Sequence, residues 1–264
     1  MDVLIIYLFV GAFAGLIAGL FGVGGGLVIV PVLVYVFTKQ GMHEAVLVHL
    51  AIGTSLATIV FTSISSVRAH HKRGAVLWPI VWRLTPGIIL GALIGALIAD
   101  LMPSSLLRRF FAFFEWVIAA QLLIDFKAKP SRRVPGSGAL FWVGNGIGSI
   151  SAIIGIGGGT LTVPFLVWCN VLMREAVATA SACGLPIALA GTVGFMWMGY
   201  TQTNLPDWSI GYLYLPALLG IVVASMLLAP VGAMLAHKLP AAKLKRAFGV
   251  FLLILGSYMF LSAG

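Results

Sequence analysis

The sequence predicts an all-α polytopic membrane protein made of two inverted repeats, each a glycine-rich helical hairpin followed by three transmembrane helices. Three observations predict it. Hydrophobic residues make up 61% of the 264 residues and charged residues only 9%, whereas soluble domains carry roughly 25% charged residues. The same glycine-rich block occurs once in each half of the chain. The basic residues sort to one side of a membrane only if each block bends its flanking helices into a hairpin.

Long apolar segments account for most of the chain. A helix needs about 20 apolar residues to cross the hydrocarbon core. Segments near that length cover residues 3–21, 45–66, 76–99, 109–126, 138–154, 176–198, 210–236 and 243–263. Two shorter apolar stretches, 25–37 and 160–170, follow the glycine blocks and reach only about 17–20 Å. We interpret these as re-entrant or tilted arms. The apolar runs are continuous rather than alternating, which argues against membrane strands.

An internal repeat relates the two halves. Residues 21–33 (FGVGGGLVIVPVL) and 154–166 (IGIGGGTLTVPFL) are identical at seven of thirteen positions. Further matches follow in the same order: residues 44–46 with 175–177, Gly53 with Gly184, and 103–111 with 240–248. Chance glycine clustering explains one matching block but not several in the same order.

The repeat defines the domain organisation. We predict one membrane repeat at 1–126 and a second at 138–264, joined by a cytoplasmic linker at 127–137. The linker is the one polar, Pro- and Gly-containing stretch of any length in the sequence.

The basic residues indicate the orientation. If 3–37 and 138–170 are hairpins, twelve of the sixteen lysines and arginines fall on one side of the membrane and three on the other, with Arg83 inside a segment. If each region crosses once, the split is 7 against 8. Because Lys and Arg concentrate in cytoplasmic loops, the hairpin arrangement is favoured. It gives the halves inverted topology, and it predicts both termini outside a bacterial-type inner (plasma) membrane.

The hairpin turns are the predicted binding site. Their glycines are Gly22, Gly24, Gly25 and Gly26 in the first half, and Gly155, Gly157, Gly158 and Gly159 in the second. Glycine permits positive φ and close backbone approach. Non-helical backbone at membrane depth must line a cavity or be buried in protein, and N–H groups that begin a helical arm suit an anion. We expect the two turns to meet near the midplane. The alternative is that the glycines only allow tight helix packing.

Polar side chains within the apolar segments complete this candidate substrate site. Thr54 and Ser55, Ser181 on the equivalent helix, and Asn145 beside two glycines are predicted to face the turns. Hydroxyl groups on both helices would suit an anion with several oxygens. Arg83 either attracts the anion or snorkels to the membrane surface.

Two ionisable residues are candidates for proton coupling, because such groups are costly within a membrane. They are His49 and Glu115. Each has a structural alternative: His49 as a helix–helix hydrogen-bond partner, and Glu115 as the ion-pair partner of Arg108 or Arg109.

Other function classes are disfavoured. We expect no metal site and no cofactor, since Cys169, Cys183 and the His70-His71 pair lack ligand spacing. No catalytic constellation or nucleotide motif is evident, so we predict neither an enzyme nor an ATP-driven pump. The basic residues form no continuous face for nucleic acid. The predicted partners are a small anionic substrate and the lipid bilayer, and the sequence leaves open whether the chain is a homodimer.

The paired (F/I)-G-(V/I)-G-G-G-x-x-x-V-P blocks, the E-A-V blocks, the Gly53 and Gly184 match and the similar repeat ends resemble the sulfite exporter TauE/SafE family of membrane transporters. The resemblance covers about residues 5–262. It implies export of sulfite or an organosulfonate such as sulfoacetate. With the inverted repeats, it predicts a secondary transporter that works by alternating access. An anion channel, a transporter of another small organic anion and a structural membrane subunit stay open as alternatives.

Overall fold

The computed structural model describes residues 2–21, 25–124, 133–238 and 241–262. The helices within these residues are α1 (Asp2–Phe21), α2 (Gly26–Lys39), α3 (Glu44–Lys72), α4 (Trp78–Leu101), α5 (Ser104–Ile124), α6 (Ser137–Ile154), α7 (Gly159–Trp168), α8 (Met173–Gly199), α9 (Leu215–Lys238) and α10 (Ala241–Leu261). One antiparallel ladder joins β1 (Ser209–Ile210) to β2 (Leu213–Tyr214).

The helices follow the predicted apolar segments with three differences. Helix α3 continues to Lys72, six residues beyond the predicted end at 66. The fifth helix begins at Ser104, directly after Pro103, instead of at residue 109. The predicted segment 210–236 begins with the strand ladder, so the prediction of helices throughout misses one β-hairpin. A positive φ at Gly211 (54°) allows this tight reversal, because glycine adopts such angles without strain. Trp208, the residue before β1, also has a positive φ (65°).

The surface of the helices fits a lipid environment. Four described helices, α3, α4, α6 and α8, are long and apolar enough to cross a membrane, and shorter apolar helices accompany them. Large apolar side chains are exposed along the flanks, for example Phe9, Leu93, Leu97 and Val193. A surface of this kind is soluble only in lipid. The chain is therefore an integral membrane protein with a helical membrane domain.

Hydrogen bonds place several chain segments at one end of the bundle, which we call the Tyr212 end. The Tyr7 hydroxyl and the Gln40 side-chain amide exchange hydrogen bonds (2.9 and 3.1 Å). The start of α1 therefore lies beside the end of α2, as in a hairpin.

Further contacts join the remaining segments to the Tyr212 end. The Tyr212 hydroxyl donates to Asp100 at the end of α4 (2.7 Å), and Ser104 donates to the Ala45 carbonyl at the start of α3 (2.7 Å). Arg108 donates to the Ser262 carbonyl after α10. The first turns of α1 and the end of α10 therefore lie at the same end of the molecule.

The opposite end, the Arg68 end, carries most of the described cations. Here the Leu77 N–H before α4 donates to Thr179 near the start of α8 (3.0 Å). Arg68, Lys72 and Arg73 lie at the end of α3 and are exposed. Arg174 is exposed at the start of α8.

Exposed aromatic side chains mark both ends of the apolar surface. Trp82 and Trp142 lie within the first turns of α4 and α6, towards the Arg68 end. Trp197, Tyr200 and Trp208 lie at or beyond the end of α8, towards the Tyr212 end. Trp and Tyr concentrate where a membrane meets water. Their two groups bracket the lipid-facing band.

The most extensive helix contacts join the two halves of the chain. Helix α1 packs along α9, and α4 packs along α6. Both contacts depend on glycines: a Cβ at Gly11 or Gly15 would overlap the backbone of α9, and a Cβ at Gly87 or Gly91 would overlap the backbone of α6. Small residues let membrane helices approach closely. The first arm of each hairpin thus packs on the opposite half.

Candidate functional site

The two glycine turns touch each other. A Cβ at Gly26, the first residue of α2, would overlap the carbonyl oxygen of Gly155, which ends α6. Both residues are buried. Only hydrogen fits between these backbones, so the sequence places glycine where the hairpins make contact. This contact is the one predicted from the duplicated motif.

The turns use glycine for its backbone conformation as well. Gly25 (φ 77°) caps the start of α2, and Gly155 (φ 75°) caps the end of α6. Residues with a Cβ rarely adopt these angles. The predicted site residues Gly22 and Gly24 lie outside the described residues.

Helix α3 fixes the depth of the turns. The Ser55 hydroxyl donates to the Gly155 carbonyl at 2.8 Å, and both residues are buried. Ser55 follows eleven residues after the start of α3, about 16 Å along its axis. That is close to half of the roughly 30 Å hydrocarbon core. The turns therefore meet at mid-depth in the bundle.

A small niche lies beside the second turn. A Cβ built on Gly184 of α8 would sit 3.3 Å from the Ser63 hydroxyl oxygen and 3.5 Å from the backbone nitrogen of Gly158. Gly158 is the residue before α7. Because the first N–H groups of a helix have no acceptor within it, this niche places backbone and hydroxyl donors around a glycine.

Three buried hydroxyl groups flank the second turn without a partner. Ser151 lies four residues before Gly155, and Thr160 and Thr162 lie in the first turn of α7. Ser151 and Thr162 are 0% exposed and Thr160 is 8% exposed, and within the described structure their oxygens have no hydrogen-bond partner. An unsatisfied buried hydroxyl costs about 1–3 kcal/mol. A hydrogen-bonding ligand would recover that cost.

The first turn lacks these hydroxyls. At the repeat offset of 133, the counterparts of Ser151, Thr160 and Thr162 are Ala18, Leu27 and Ile29. The glycine niche differs too: Gly53 matches Gly184, but a Cβ there would overlap the Tyr212 carbonyl, so the β-hairpin fills the space. The helix caps differ as well: Gly25 before α2 has a φ of 77°, whereas its counterpart Gly158 before α7 has a φ of −63°. Among the described residues, these hydrogen-bonding groups therefore belong to the second turn.

Thr54 has a structural contact. Its hydroxyl accepts a hydrogen bond from the Tyr214 N–H at 3.0 Å, which ties the β-hairpin to α3. Thr54 neighbours Ser55, so the hairpin extends inwards from the Tyr212 end as far as the level of the glycine turns. It covers the site from that side.

Other predicted site residues lie apart from the turns. Asn145 is half-buried where α6 packs on Gly91 of α4, ten residues or about 15 Å before Gly155 along α6. Arg83 is exposed near the start of α4, beside the exposed Trp82, a position typical of a snorkelling side chain. Ser181 is half-buried on α8, three residues before Gly184. Gly157 is buried and Gly159 half-buried, at the second turn itself.

His49 bonds to neighbouring helices through its ring. Its Nε2 donates to the Ala99 carbonyl (2.9 Å), and its Nδ1 lies 3.4 Å from the Ser104 hydroxyl. The ring stacks on Tyr212 with 4.9 Å between the ring centroids. Both nitrogens therefore serve contacts at the ends of α4 and α5, which favours the helix–helix interpretation of this residue.

Glu115 lies alone in the interface between α5 and α10. It is 0% exposed, and neither carboxylate oxygen has a hydrogen-bond partner among the described residues. The expected ion pair with Arg108 or Arg109 does not form: Arg108 donates to the Ser262 carbonyl, and Arg109 is exposed. Contacts of Gly249 with Ala119 and of Gly256 with Ala112 place Leu252 of α10 opposite this carboxyl.

Sequence reasoning missed Ser151, Thr160, Thr162 and Ser63. A signal for the threonines was present in the aligned glycine blocks, where the second half reads TLT and the first LVI. The positions that the two repeats share do not include these threonines. The positions at which the two repeats differ in polarity do indicate them. The described residues contain no group of three His, Cys, Asp or Glu side chains that could hold a metal ion. The polar groups beside the second turn are uncharged hydroxyl and backbone N–H groups.

Comparison with known proteins agrees with this picture. The sequence profile of the family "Sulfite exporter TauE/SafE" matches residues 7–259. A "Probable membrane transporter protein" of Haemophilus influenzae is 38% identical over 98% of both chains. A protein of the same description in Methanocaldococcus jannaschii is 26% identical over 96% of this chain and 93% of its own. No solved structure matches significantly. On the evidence of this nearly full-length match, the chain belongs to the sulfite exporter TauE/SafE family, and it is a membrane transporter rather than an enzyme.

Proposed function

We propose that this protein is a secondary transporter that exports a small sulfur oxyanion or organosulfonate, such as sulfite or sulfoacetate. The observation that carries the proposal is the contact of the two glycine turns at mid-depth, beside three buried hydroxyls without partners. Hydroxyls and helix N-termini bind the oxygens of an anion without neutralising its charge. Binding of this kind is weak enough to permit release on either side.

The proposed substrate site lies at the second turn. It consists of Ser151, Thr160 and Thr162, the Gly158 backbone and the Ser63 hydroxyl, with Ser55 holding the turn in place. Gly155, Gly157 and Gly159 shape the turn. We retain Ser181 as a candidate on α8, whereas the positions of Arg83 and Asn145 favour roles at the membrane surface and in helix packing.

The proposed mechanism is alternating access between two inverted repeats. Supporting it, the contact of α1 with α9 has an equivalent in the contact of α6 with α4, if α1–α5 correspond to α6–α10. At the offset of 133, Gly11 and Gly15 correspond to Gly144 and Gly148. Gly15 contacts Ser225, and Gly148 contacts Ala92. Ala92 lies 133 positions before Ser225, so the same offset relates the two contacts. Such pseudo-two-fold packing is typical of secondary transporters.

We further propose an orientation and a moving unit. The Arg68 end carries most of the cations, so it would face the cytoplasm, which puts both termini outside a bacterial inner membrane. Because α9 packs with the first repeat and α4 with the second, the bodies that rock would each include one helix from the other half. The repeats 1–126 and 138–264 would then be interlocked.

Reconstituted protein should move labelled sulfite or sulfoacetate across liposomes with a rate that saturates as substrate concentration rises. Saturation follows because each turnover needs a conformational change. Tracer efflux gives the rate, and planar-bilayer recordings provide the control. Ohmic conductance would support the anion-channel alternative, and absence of flux for small anions of either type would contradict the proposal.

Replacing Thr162 by valine should slow transport about ten-fold or more while leaving the protein at least as stable. Valine has nearly the shape of threonine, and in the protein without substrate it removes an unsatisfied hydroxyl that costs about 1–3 kcal/mol. Thr85→Val is the matched control, because the Thr85 hydroxyl bonds to its own helix at Val81 (2.8 Å). Normal transport by Thr162→Val in the same tracer assay would exclude this residue from the site.

Proton coupling, if present, is proposed to involve Glu115. The residues opposite it on α10 are the uncharged Leu252 and Gly256. The cations of its own helix, Arg108 and Arg109, lie seven and six residues away; Arg108 bonds to Ser262, and Arg109 is exposed. Glu115→Gln keeps the shape but cannot release a proton. We expect it to remove the effect of an imposed pH gradient on sulfite flux, with His49→Gln as the comparison. A gradient effect of unchanged size in both variants would rule out coupling through these residues.

A further inference from the structure

The Arg68 end has a cavity that the transport site does not use. It has a volume of about 530 Å³ and lies against the last third of α3, with Met226 of α9 on its other side. Arg68, Lys72 and Arg73 line its outer part, and Phe61 and Ile64 line its inner part. The site residue Ser63 lies on the same part of α3 but faces Gly184 of α8, whereas the cavity faces Met226 of α9, so the two are separate features.

The cavity changes from basic to apolar along the helix axis. Phe61, Ile64, Arg68 and Lys72 follow one another at intervals of three or four residues, which places them on one face of α3. Phe61 and Lys72 are eleven residues apart, about 16 Å along the helix. The charged part is at the end of the helix, and the apolar part is level with the lipid-facing band.

The three cations are open to the surroundings. Among the residues that the structure describes, no acidic side chain forms an ion pair with Arg68, Lys72 or Arg73, and all three side chains are exposed. Phe61 (42%) and Met226 (44%) are exposed as well. Exposed positive charges above an exposed apolar groove complement an amphiphile with an anionic head.

We propose that this cavity binds an anionic phospholipid from the membrane leaflet at the Arg68 end, with the phosphate on Arg68, Lys72 and Arg73 and an acyl chain along Phe61, Ile64 and Met226. Arginine and lysine bind phosphate oxygens through charge-assisted hydrogen bonds, and basic pockets between helices on the cytoplasmic side suit such headgroups. A free oxyanion would contact only the basic part and leave the apolar groove open to the membrane.

Native mass spectrometry of the detergent-purified protein tests the proposal with defined lipids. We expect retention of phosphatidylglycerol in preference to phosphatidylcholine. The triple variant Arg68→Gln, Lys72→Gln, Arg73→Gln should bind phosphatidylglycerol about a hundred-fold more weakly, since each cation near the membrane surface contributes about a factor of five. The control is Arg83→Gln with Arg174→Gln, which removes two exposed cations near the same end. Equal loss in both variants, or unchanged binding in the triple variant, would overturn the proposal.

A second arm separates a lipid from a free anion. Phe61→Ser with Ile64→Ser should reduce phosphatidylglycerol retention while leaving the cations in place, and glycerol 1-phosphate should compete poorly. Competition by glycerol 1-phosphate at the potency of the lipid would mean that the cavity binds a free anion instead. The measurement involves no transport, so its failure leaves the proposed export function untouched, and failure of export leaves lipid binding standing.

Discussion

Valine in place of Gly26 is expected to abolish transport and to destabilise the protein by about 3 kcal/mol or more. The new side chain would meet the Gly155 carbonyl where the two hairpins touch. Backbone on both sides cannot move aside as a flexible side chain would, and overpacking of a tight interior costs about 1–3 kcal/mol even where relaxation is easier. Tracer flux in liposomes and thermal unfolding in detergent measure the two effects.

Gly146→Val is the control for that change. Gly146 lies within α6, and a Cβ there would meet nothing within 4 Å, so the same substitution should change flux and unfolding temperature only slightly. A Gly26→Val protein that transports at the normal rate would show that the turns do not touch as described. That result would contradict the proposed substrate site.

Leucine in place of Gly91 is expected to prevent accumulation of folded protein. Helices α4 and α6 pack in parallel through Gly87, Gly91 and Gly95, and a Cβ at Gly91 would overlap the backbone of Asn145. Separating the helices would remove the close packing along their whole contact. In lipid no hydrophobic driving force would hold the separated helices together. Size-exclusion chromatography after mild detergent extraction shows the fraction that is monodisperse.

Gly146→Leu again serves for comparison, because it adds the same side chain to the exposed face of α6. We expect a normal elution profile from it. If Gly91→Leu and Gly146→Leu behaved alike, the close approach of α4 to α6 would not be a requirement for folding.

The helices and hairpins were predictable because two strong signals agree. Continuous apolar runs mark membrane helices, and glycine triplets end them, so the sequence alone identifies α2 and α7 as short arms. The Tyr7–Gln40 contact at the base of the first hairpin and the Gly26–Gly155 contact at its tip agree with that interpretation. Repetition supplied what a single glycine block could not, namely a partner for each turn.

The details of the site were less predictable, because they depend on which way a helix face points. Arg83 and Asn145 were chosen as polar residues in apolar segments, but α4 exposes Arg83, and α6 packs the backbone of the half-buried Asn145 on α4. The apolar segments of a membrane helix show little contrast between lipid-facing and interior faces. Periodicity therefore gave no guidance.

The β-hairpin was missed for a different reason. Residues 209–214 are similar in composition to the apolar start of α9, so composition does not distinguish them from a helix. The positive φ angles at Trp208 and Gly211, which do distinguish them, are visible only in the structure. Their position over Gly53 depends on a contact between segments more than 150 residues apart, which no local pattern reports.

The exchange of α4 and α9 between the halves bears on how the polypeptide is assembled. If the chain were cut in the linker and its two pieces produced separately, each piece would expose a glycine-lined furrow. In the first piece α1 would lack its partner α9, and in the second α6 would lack its partner α4. Produced together, the pieces should recombine through those furrows. If the proposed inverted repeats derive from one ancestral unit, that unit would have needed a second copy in the opposite orientation to fill the same furrow.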